Sequence, residues 1–152
     1  MIKRKLEEVI ANQLFKGKAI ILVGPRQVGK TTLLREFIRR SDKQVLSLNC
    51  DEPEAQTMLT NTNVAKLQTI IGNNELVVID EAQKVDNIGL TLKLIVDNMP
   101  DVQVIATGSS AFELRNSLNE PLTGRKFEYQ MYPVSCGEIM DTYGSLDRKS
   151  VV

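Results

Sequence analysis

The segment "GPRQVGKT", from Gly24 to Thr31, constrains the fold of this chain more than any other part of the sequence. It follows "KAIILV", a short continuous apolar run rich in β-branched residues, which is typical of a strand buried on both faces of a parallel sheet. It precedes residues 30–40, where the spacing of apolar side chains predicts a helix with one buried face. Because a strand of this kind needs helices on both faces of its sheet, the segment predicts an α/β domain.

Strand and helix patterns alternate along the rest of the chain. Further strands are predicted at "QVLSLN", "ELVVID", "VQVIATG" and "KFEYQMYPV". Helices are predicted at residues 2–15, in a helical region at 55–71, at 88–99 and at 111–118. Five strands separated by helices predict a three-layer, doubly wound α/β fold with a mainly parallel five-stranded sheet. Ligands of such folds bind beyond the carboxyl ends of the strands.

Length, composition and charge narrow the class of protein. A chain of 152 residues with 42% hydrophobic and 25% charged residues has the composition of one globular domain. Nineteen Lys and Arg balance nineteen Asp and Glu, so the charge does not support nonspecific binding to nucleic acid or membranes, although a local basic patch stays open. The longest apolar stretches are far shorter than the ~18 to 20 residues that span a bilayer, and the amino terminus does not resemble a secretory signal. The expected compartment is the cytoplasm.

The cysteine and histidine counts exclude two kinds of site. The sequence has no histidine and two cysteines, Cys50 and Cys136, so one chain cannot build an ordinary tetrahedral Cys/His zinc site. Acid–base catalysis by histidine is excluded as well. We expect two reduced thiols, although the count alone leaves a Cys50–Cys136 disulfide open.

The Gly24–Thr31 segment also predicts a binding site, because it matches G-x-x-x-x-G-K-[ST] between a strand and a helix. Glycines let backbone N–H groups wrap around phosphate, and the helix presents its positive end to the anion. Lys30 is expected to contact the β- and γ-phosphates, and Thr31 to offer its hydroxyl to Mg²⁺. The predicted nucleotide-binding residues are Gly24, Pro25, Arg26, Gln27, Val28, Gly29, Lys30, Thr31 and Thr32. The alternative is a glycine-rich turn with Lys30 solvated, and Arg26 could contact phosphate or lie exposed.

Two adjacent carboxylates end the predicted strand "ELVVID". Asp80 and Glu81 lie where a doubly wound sheet presents side chains towards a nucleotide. We expect Asp80 to hold Mg²⁺ through its water shell, and Glu81 to orient and deprotonate the water that attacks the γ-phosphate. Without the phosphate loop upstream, a helix-capping Asp80 and a solvated Glu81 would explain the pair equally well.

Two further candidates carry stronger alternatives. The strand "VQVIATG" ends in the polar residues Thr107, Ser109 and Ser110, of which Ser109 is the preferred contact for the γ-phosphate; a turn capping the next helix is the alternative. Arg125 precedes the last strand, and as an arginine finger it would stabilise transition-state charge in its own or a neighbouring subunit. Its alternative is a surface arginine paired with a carboxylate such as Glu128.

Together these motifs make the chain similar to a known family. The segments "LVGPRQVGKTTLL", "LNCDEPE", "LVVIDEAQKVDN", "VIATGSSAFEL", "PLTGR" and "YPVSCGEI" resemble, in order, the AAA-type ATPase domain of a group of prokaryotic ATP-binding proteins that carry a C-terminal domain of unknown function. The resemblance implies a P-loop NTPase fold with an additional strand and a catalytic glutamate, Glu81, and the strand order 5-1-4-3-2. It also implies ATP as nucleotide and Mg²⁺ as metal. Asp51 matches an acidic position of the family.

The chain is expected to consist of three parts. Residues 1–17 are expected to form an amphipathic helix packed on the core, and residues 18–146 an ATPase core that is incomplete at its carboxyl end. Residues 147–152, "DRKSVV", can be encoded by the start of a common sequencing adapter, and are interpreted as a non-native tail; a genuine polar tail is the alternative.

The leading hypothesis is an ATPase that hydrolyses ATP to ADP and phosphate. It would act as switch or motor for a missing C-terminal domain, with the catalytic residues Lys30, Glu81, Ser109 and Arg125. A homo-oligomer through Arg125 is possible. The alternative is a module that binds nucleotide with negligible hydrolysis. A small-molecule kinase is disfavoured by the Asp-Glu pair, and a GTPase by the absence of an N-K-x-D tetrapeptide.

Overall fold

The fold is a three-layer sandwich built on a parallel sheet of five strands. A computed structural model describes residues 2–25, 29–109 and 121–131 of the chain. The strands are β1 (Ala19–Val23), β2 (Val45–Asn49), β3 (Leu76–Asp80), β4 (Gln103–Gly108) and β5 (Lys126–Gln130). Their order in the sheet is β2-β3-β4-β1-β5, and every neighbouring pair is parallel. This is the predicted order 5-1-4-3-2 read from the other edge, so the predicted fold class is confirmed.

Helices connect the strands and cover both faces of the sheet. They are α1 (Ile2–Ala11), α2 (Lys30–Arg40), α3 (Pro53–Leu59), α4 (Val64–Ile71) and α5 (Ile88–Asn98), with a 3₁₀ turn at Ala82–Lys84. A parallel sheet requires such crossover connections because its strands all run in one direction. None of the helices within the described residues has the length and apolar character needed to cross a membrane.

The core consists of two clusters, one on each face of the sheet. In β1, Ile20 and Leu22 point to the face covered by α1 and α2, whereas Ala19, Ile21 and Val23 point to the face covered by α3, α4 and α5. All five side chains are fully buried, as expected for a central strand without a solvent face. The two clusters hold the carboxyl ends of β1, β3 and β4 rigidly at one edge of the sheet.

Two predicted helical segments differ from the structure: one is shorter, and the other is divided into two helices. The first ends at Ala11 and not near residue 15, because the N–H groups of Gln13 and Leu14 donate to carbonyls three residues earlier instead of four. Phe15 and Gly17 then take positive φ angles of 58° and 79°. The backbone N–H of Phe15 then donates to Oε1 of Gln103, which leads the chain into β1. The helical region 55–71 is two helices separated around Asn61, whose φ is 48°. Asn63 begins the second one by accepting a hydrogen bond from the N–H of Lys66 at 2.9 Å.

Several predicted segments lie outside the described residues. They are the helix at 111–118, the part of the last predicted strand after Met131, Cys136 and the tail at 147–152.

Candidate functional site

The polar ends of three strands meet at the carboxyl edge of the sheet. The register pairs Val23 of β1 with Gly108 of β4, and Ile79 of β3 with Ala106 of β4. The residues that follow each pair therefore come together, as expected where parallel strands end at one edge. This edge brings the phosphate loop, the Asp80–Glu81 pair and the tip of β4 into one site.

The entry to the phosphate loop is packed too closely for any residue but glycine. The N–H of Gly24 donates to the carbonyl of Gly108 at 3.2 Å, and the N–H of Met131 donates to the carbonyl of Val23 at 2.8 Å. A Cβ atom added to Gly24 would lie 2.6 Å from the carbonyl oxygen of Met131, which is shorter than real Cβ contacts. The first glycine of the motif is thus required by the packing of β5 against the end of β1.

The other end of the loop begins helix α2. Gly29 caps this helix with a φ of 89°, a left-handed conformation that favours glycine. Three of the predicted binding residues, Arg26, Gln27 and Val28, lie outside the described residues. The described flanks, Gly24–Pro25 and Gly29–Thr32, join the end of β1 to the amino terminus of α2, which is the geometry of a phosphate-binding loop.

Lys30 is buried at the start of α2 with its charge directed at the loop. Only 2% of the residue is exposed, and its ammonium donates to the carbonyl oxygens of Gly24 at 2.7 Å and Pro25 at 2.8 Å. A buried ammonium favours an anionic neighbour, because burial without a counter-charge is costly. The prediction that Lys30 lies in the loop, and is not simply solvated, agrees with this placement.

Thr31 and Asp80 bring two hard oxygen ligands together. The hydroxyl of Thr31 donates to Oδ2 of Asp80 at 3.1 Å, although 49 residues separate them in the sequence. Oδ1 of Asp80 accepts hydrogen bonds from the N–H of Glu81 at 3.1 Å and from the hydroxyl of Thr107. Oxygen ligands of this type suit Mg²⁺, which keeps several waters and takes further oxygens from bound phosphates. Within the described residues no group of three or more His, Cys, Asp or Glu side chains is placed to hold a metal ion.

Glu81 has an unusual backbone conformation directly after β3. Its φ of 56° and ψ of 46° are left-handed, a region that costs a residue with a side chain roughly 1 to 2 kcal/mol. The residue is 8% exposed, and its N–H donates to the hydroxyl of Thr107 at 3.1 Å. Non-glycine residues in this conformation occur often at functional sites, where surrounding contacts hold them in place.

Gln83 is a member of the site that sequence reasoning did not single out. Its side-chain amide donates to Oε1 of Glu81 and to Oγ of Ser109, both at 2.8 Å, and its oxygen accepts from the N–H of Ser109 at 3.3 Å. The amide therefore joins the glutamate after β3 to the serine after β4. Gln83 lies within the family-like segment "LVVIDEAQKVDN", but the segment alone indicates no role for it, because its contacts depend on the left-handed turn at Glu81.

Arg125 does not reach the phosphate loop of its own chain. Its carbonyl accepts from the N–H of Ala19 at the amino-terminal end of β1, about 13 Å of strand away from Val23. Its guanidinium donates to Oδ1 of Asp97 at 2.8 Å. The prediction of an arginine finger within one chain is therefore wrong, since the residue lies at the opposite edge of the sheet. The alternative of a surface ion pair describes it, with Asp97 and not Glu128 as the partner.

Two residues after β2 lie next to the carboxylates. Asp51, the acidic position noted in the sequence, forms an ion pair with Lys84 of the 3₁₀ turn at 2.6 Å. Cys50 is a buried free thiol whose N–H donates to the carbonyl of Asp80. Burial, together with the negative charges of Asp80, Asp51 and Glu81, raises the pKa of the Cys50 thiol to about 12. Both contacts tie the end of β2 to the segment that carries Glu81.

A separate cavity of about 370 Å³ lies between α1 and α2, near the amino-terminal end of β3. Its lining includes Leu14, Phe15, Phe37 and Leu76, and contains none of the predicted nucleotide-binding residues. The cavity is therefore not part of the nucleotide site.

Comparisons with known proteins agree with this geometry. The structure is similar to that of Drosophila ORC bound to DNA, with a TM-score of 0.63, 14% identity, and coverage of 85% of this chain and 89% of that chain. It is also similar to a Walker-type ATPase of Pyrococcus abyssi, with a TM-score of 0.56, 20% identity, and coverage of 99% and 58%. Both likenesses concern the fold.

Sequence comparison identifies the family. Uncharacterized proteins of Mycobacterium bovis and Mycobacterium tuberculosis are 32% identical to the chain over 114 residues, which is 74% of this chain. The chain spans only 24% of the length of each mycobacterial relative. The family model described as "AAA domain" matches residues 16–140. That match covers most of the sequence and all of the described site, so the chain belongs to the AAA domain family, with a P-loop NTPase fold that supports nucleotide binding.

Proposed function

We propose that the chain binds ATP with Mg²⁺ at the carboxyl edge of the sheet and hydrolyses it to ADP and phosphate. The observation that carries the proposal is the hydrogen bond between Thr31 and Asp80, which joins the two halves of a metal site beside the buried Lys30. Folding of the sheet does not require a lysine, a threonine and a carboxylate to lie together at a glycine loop, whereas binding of a metal–nucleotide complex does.

The residues have separate tasks in this proposal. The loop from Gly24 to Thr32 surrounds the phosphates with backbone N–H groups, and Lys30 neutralises charge on the β- and γ-phosphates. Thr31 and Asp80 would hold Mg²⁺, which neutralises phosphate charge and orients the γ-phosphate when bound. Glu81 orients the attacking water and accepts its proton.

Hydrolysis is favoured over transfer to a substrate hydroxyl by the surroundings of Glu81. Its carboxylate lies at the end of β3, next to the Mg²⁺ ligand Asp80, and is fixed by Gln83 at 2.8 Å. A carboxylate fixed beside the proposed metal site is suited to orient a small nucleophile such as water. The second candidate is a module that binds ATP without turnover. It remains a candidate because the chain spans only 24% of the length of each mycobacterial relative.

The larger role would be that of a switch or motor. Contacts that depend on the γ-phosphate change when it is lost, and such changes drive order and movement in other nucleotide-binding proteins. We propose that the partner is a further domain of the same protein, as the resemblance implies. The balance of nineteen basic and nineteen acidic residues does not point to DNA as a direct ligand of this segment.

The proposal is tested by separating binding from turnover. We expect Lys30→Ala to weaken ATP binding about 100-fold or more, which corresponds to about 2.7 kcal/mol. We expect Glu81→Gln to keep ATP affinity within about threefold and to lower phosphate release about 100-fold or more. The exposed Lys66→Ala and Glu75→Gln variants serve as matched controls, since Lys66 lies on α4 and Glu75 precedes β3 at the end of the strand opposite Asp80.

The outcomes distinguish the two candidates. Normal phosphate release by Glu81→Gln would refute the catalytic assignment. Tight ATP binding by the unsubstituted chain without measurable phosphate release would favour the binding module.

A further inference from the structure

The Gln83 amide uses both of its N–H groups and its oxygen within the site. One N–H goes to Oε1 of Glu81 and the other to Oγ of Ser109, while the oxygen accepts from the backbone N–H of Ser109. A glutamine amide has two donors and one carbonyl acceptor, so both kinds of group are engaged.

The surroundings permit only one orientation of this amide. The backbone N–H of Ser109 can only donate, so the amide oxygen must face it. If the amide were turned over, its oxygen would face the carboxylate of Glu81, where two acceptors repel each other. The neighbours therefore determine the orientation, which coordinates alone do not distinguish.

This orientation decides what the Ser109 hydroxyl can do. Because Oγ accepts a hydrogen bond from Gln83, its own proton is directed elsewhere and is available to an acceptor. The oxygens of a γ-phosphate are strong acceptors, and charge-assisted bonds to them are about twice as strong as neutral ones. The hydrogen bond from Gln83 thus occupies an acceptor site of Ser109 and leaves its O–H to donate to such an oxygen.

The 3₁₀ turn does not depend on the Gln83 side chain. Its backbone is held by hydrogen bonds from the N–H of Lys84 to the carbonyl of Glu81 and from the N–H of Val85 to the carbonyl of Ala82, both at 3.1 Å. The side chain itself is only half-buried. Its three hydrogen bonds consequently serve the position of Glu81 and Ser109, not the formation of the turn.

We propose that Gln83 is a positioning residue that couples contact of Ser109 with the γ-phosphate to the position of the Glu81 carboxylate. A shift of Ser109 towards the phosphate is transmitted through the amide to Oε1 of Glu81, which sets the other carboxylate oxygen against the attacking water. ADP lacks the γ-phosphate and leaves this connection unengaged. The inference rests on the proposed function and adds a specific prediction to it: Gln83 contributes to the distinction between ATP and ADP.

The test compares Gln83→Met with Ser109→Ala and with the double variant. Methionine has nearly the length of glutamine but cannot donate to either partner. We expect Gln83→Met to leave ADP affinity within about twofold, to lower the ATP-to-ADP affinity ratio about threefold to tenfold, and to lower turnover about tenfold to 100-fold. Ser109→Ala should lower the affinity ratio similarly, and the double variant should lose no more than the larger single loss.

Matched measurements exclude a merely structural effect. Gln68→Met, an exposed position on α4, should leave all three quantities unchanged, and the melting temperature of Gln83→Met should equal that of the unsubstituted chain. An unchanged affinity ratio and turnover in Gln83→Met, or additive losses in the double variant, would overturn the inference. If the unsubstituted chain binds but does not hydrolyse ATP, the proposed hydrolysis fails, and the affinity ratios still test the coupling.

Discussion

Thr31 and Asp80 are joined by a hydrogen bond of 3.1 Å between the first turn of α2 and the end of β3. The bond connects the start of this helix directly to the end of this strand. When Mg²⁺ binds, the hydroxyl of Thr31 would exchange its carboxylate partner for the metal. The pair is therefore a direct point at which the metal dependence of the site can be tested.

The Thr31→Val variant should lose the effect of Mg²⁺ on ATP binding. Valine keeps the shape of threonine but removes the hydroxyl that would act as a ligand. We expect ATP affinity without Mg²⁺ to change less than about threefold, and the gain in affinity on adding Mg²⁺ to fall about tenfold or more, as measured by titration with a fluorescent ATP analogue. Thr69→Val on α4 is the control, and Thr31→Ser should restore the gain. A full Mg²⁺ effect in Thr31→Val would contradict the assignment.

The Gly24→Ala variant should lose both stability and nucleotide affinity. Its methyl group would meet the carbonyl oxygen of Met131 at 2.6 Å, so the end of β1 or of β5 must move. Such overpacking typically costs about 1 to 3 kcal/mol, and thermal unfolding should reveal it as a lower melting temperature.

Gly17→Ala separates backbone strain from close contact. Gly17 has a φ of 79° and no atom within 4 Å of an added Cβ, so alanine there strains only the backbone, far from the loop. It should lower stability and leave ATP affinity unchanged. Equal ATP affinity in Gly24→Ala and the unsubstituted chain would show that the loop tolerates the shift.

The Arg125→Ala variant should leave ATP binding by its own chain unchanged. The guanidinium pairs with Asp97 at the amino-terminal edge of the sheet, and both side chains are more than a third exposed. Exposed ion pairs contribute about 0 to 1 kcal/mol, so unfolding should change little. Asp97→Asn should behave alike. A loss of turnover that depends on protein concentration, with intact ATP affinity, would instead support the remaining prediction that Arg125 acts on a neighbouring subunit.

The thiol of Cys50 should react slowly in the folded protein. It is fully buried, and desolvation is the first cause that raises its pKa to about 12, so little thiolate forms near neutral pH. We expect labelling at pH 8 in a Cys136→Ser background to be about 100-fold slower than in denaturant. Rapid labelling under native conditions would contradict the burial of this position.

The raised pKa of Cys50 predicts how its contribution to the free energy of unfolding changes with pH. An unfolded cysteine has a pKa of about 8.5, so between that pH and about 12 the unfolded state loses its proton first. The contribution of Cys50 to stability is therefore present below pH 8.5 and is lost as pH rises. The difference in unfolding free energy between the unsubstituted chain and Cys50→Ala should shrink between pH 8 and pH 10.

The sequence predicts most of the fold, because β1 and β3 are short, continuous apolar runs rich in β-branched residues and alternate with helical patterns. It also predicts the residues at the ends of β1 and β3, where the loop motif and the carboxylates follow directly. The split between α3 and α4 was missed, although "TNTN" after Leu59 offers turn and capping residues that indicate it. A finger role of Arg125 within its own chain could also be rejected from the sequence, since a residue that precedes a parallel strand lies at the end of the sheet opposite the ligand.

The role of Gln83 could not be predicted from the sequence, for a different reason. Its partners lie on two strands, and its direction depends on the left-handed backbone of Glu81, which the residue types do not reveal. The family-like segment that contains Gln83 does not by itself show which side chains the amide contacts. Only the coordinates could identify it.

At Glu81 the residue type that suits the proposed activity is not the one that suits the left-handed backbone. Glycine would adopt φ 56° without steric cost, so Glu81→Gly would relieve roughly 1 kcal/mol while removing the carboxylate that we propose activates water. A selection for thermal stability alone would therefore favour inactive proteins at this site. Retention of glutamate there would be a signature of selection for chemistry, which makes residue 81 a useful marker for separating working members of a protein library from merely well-folded ones.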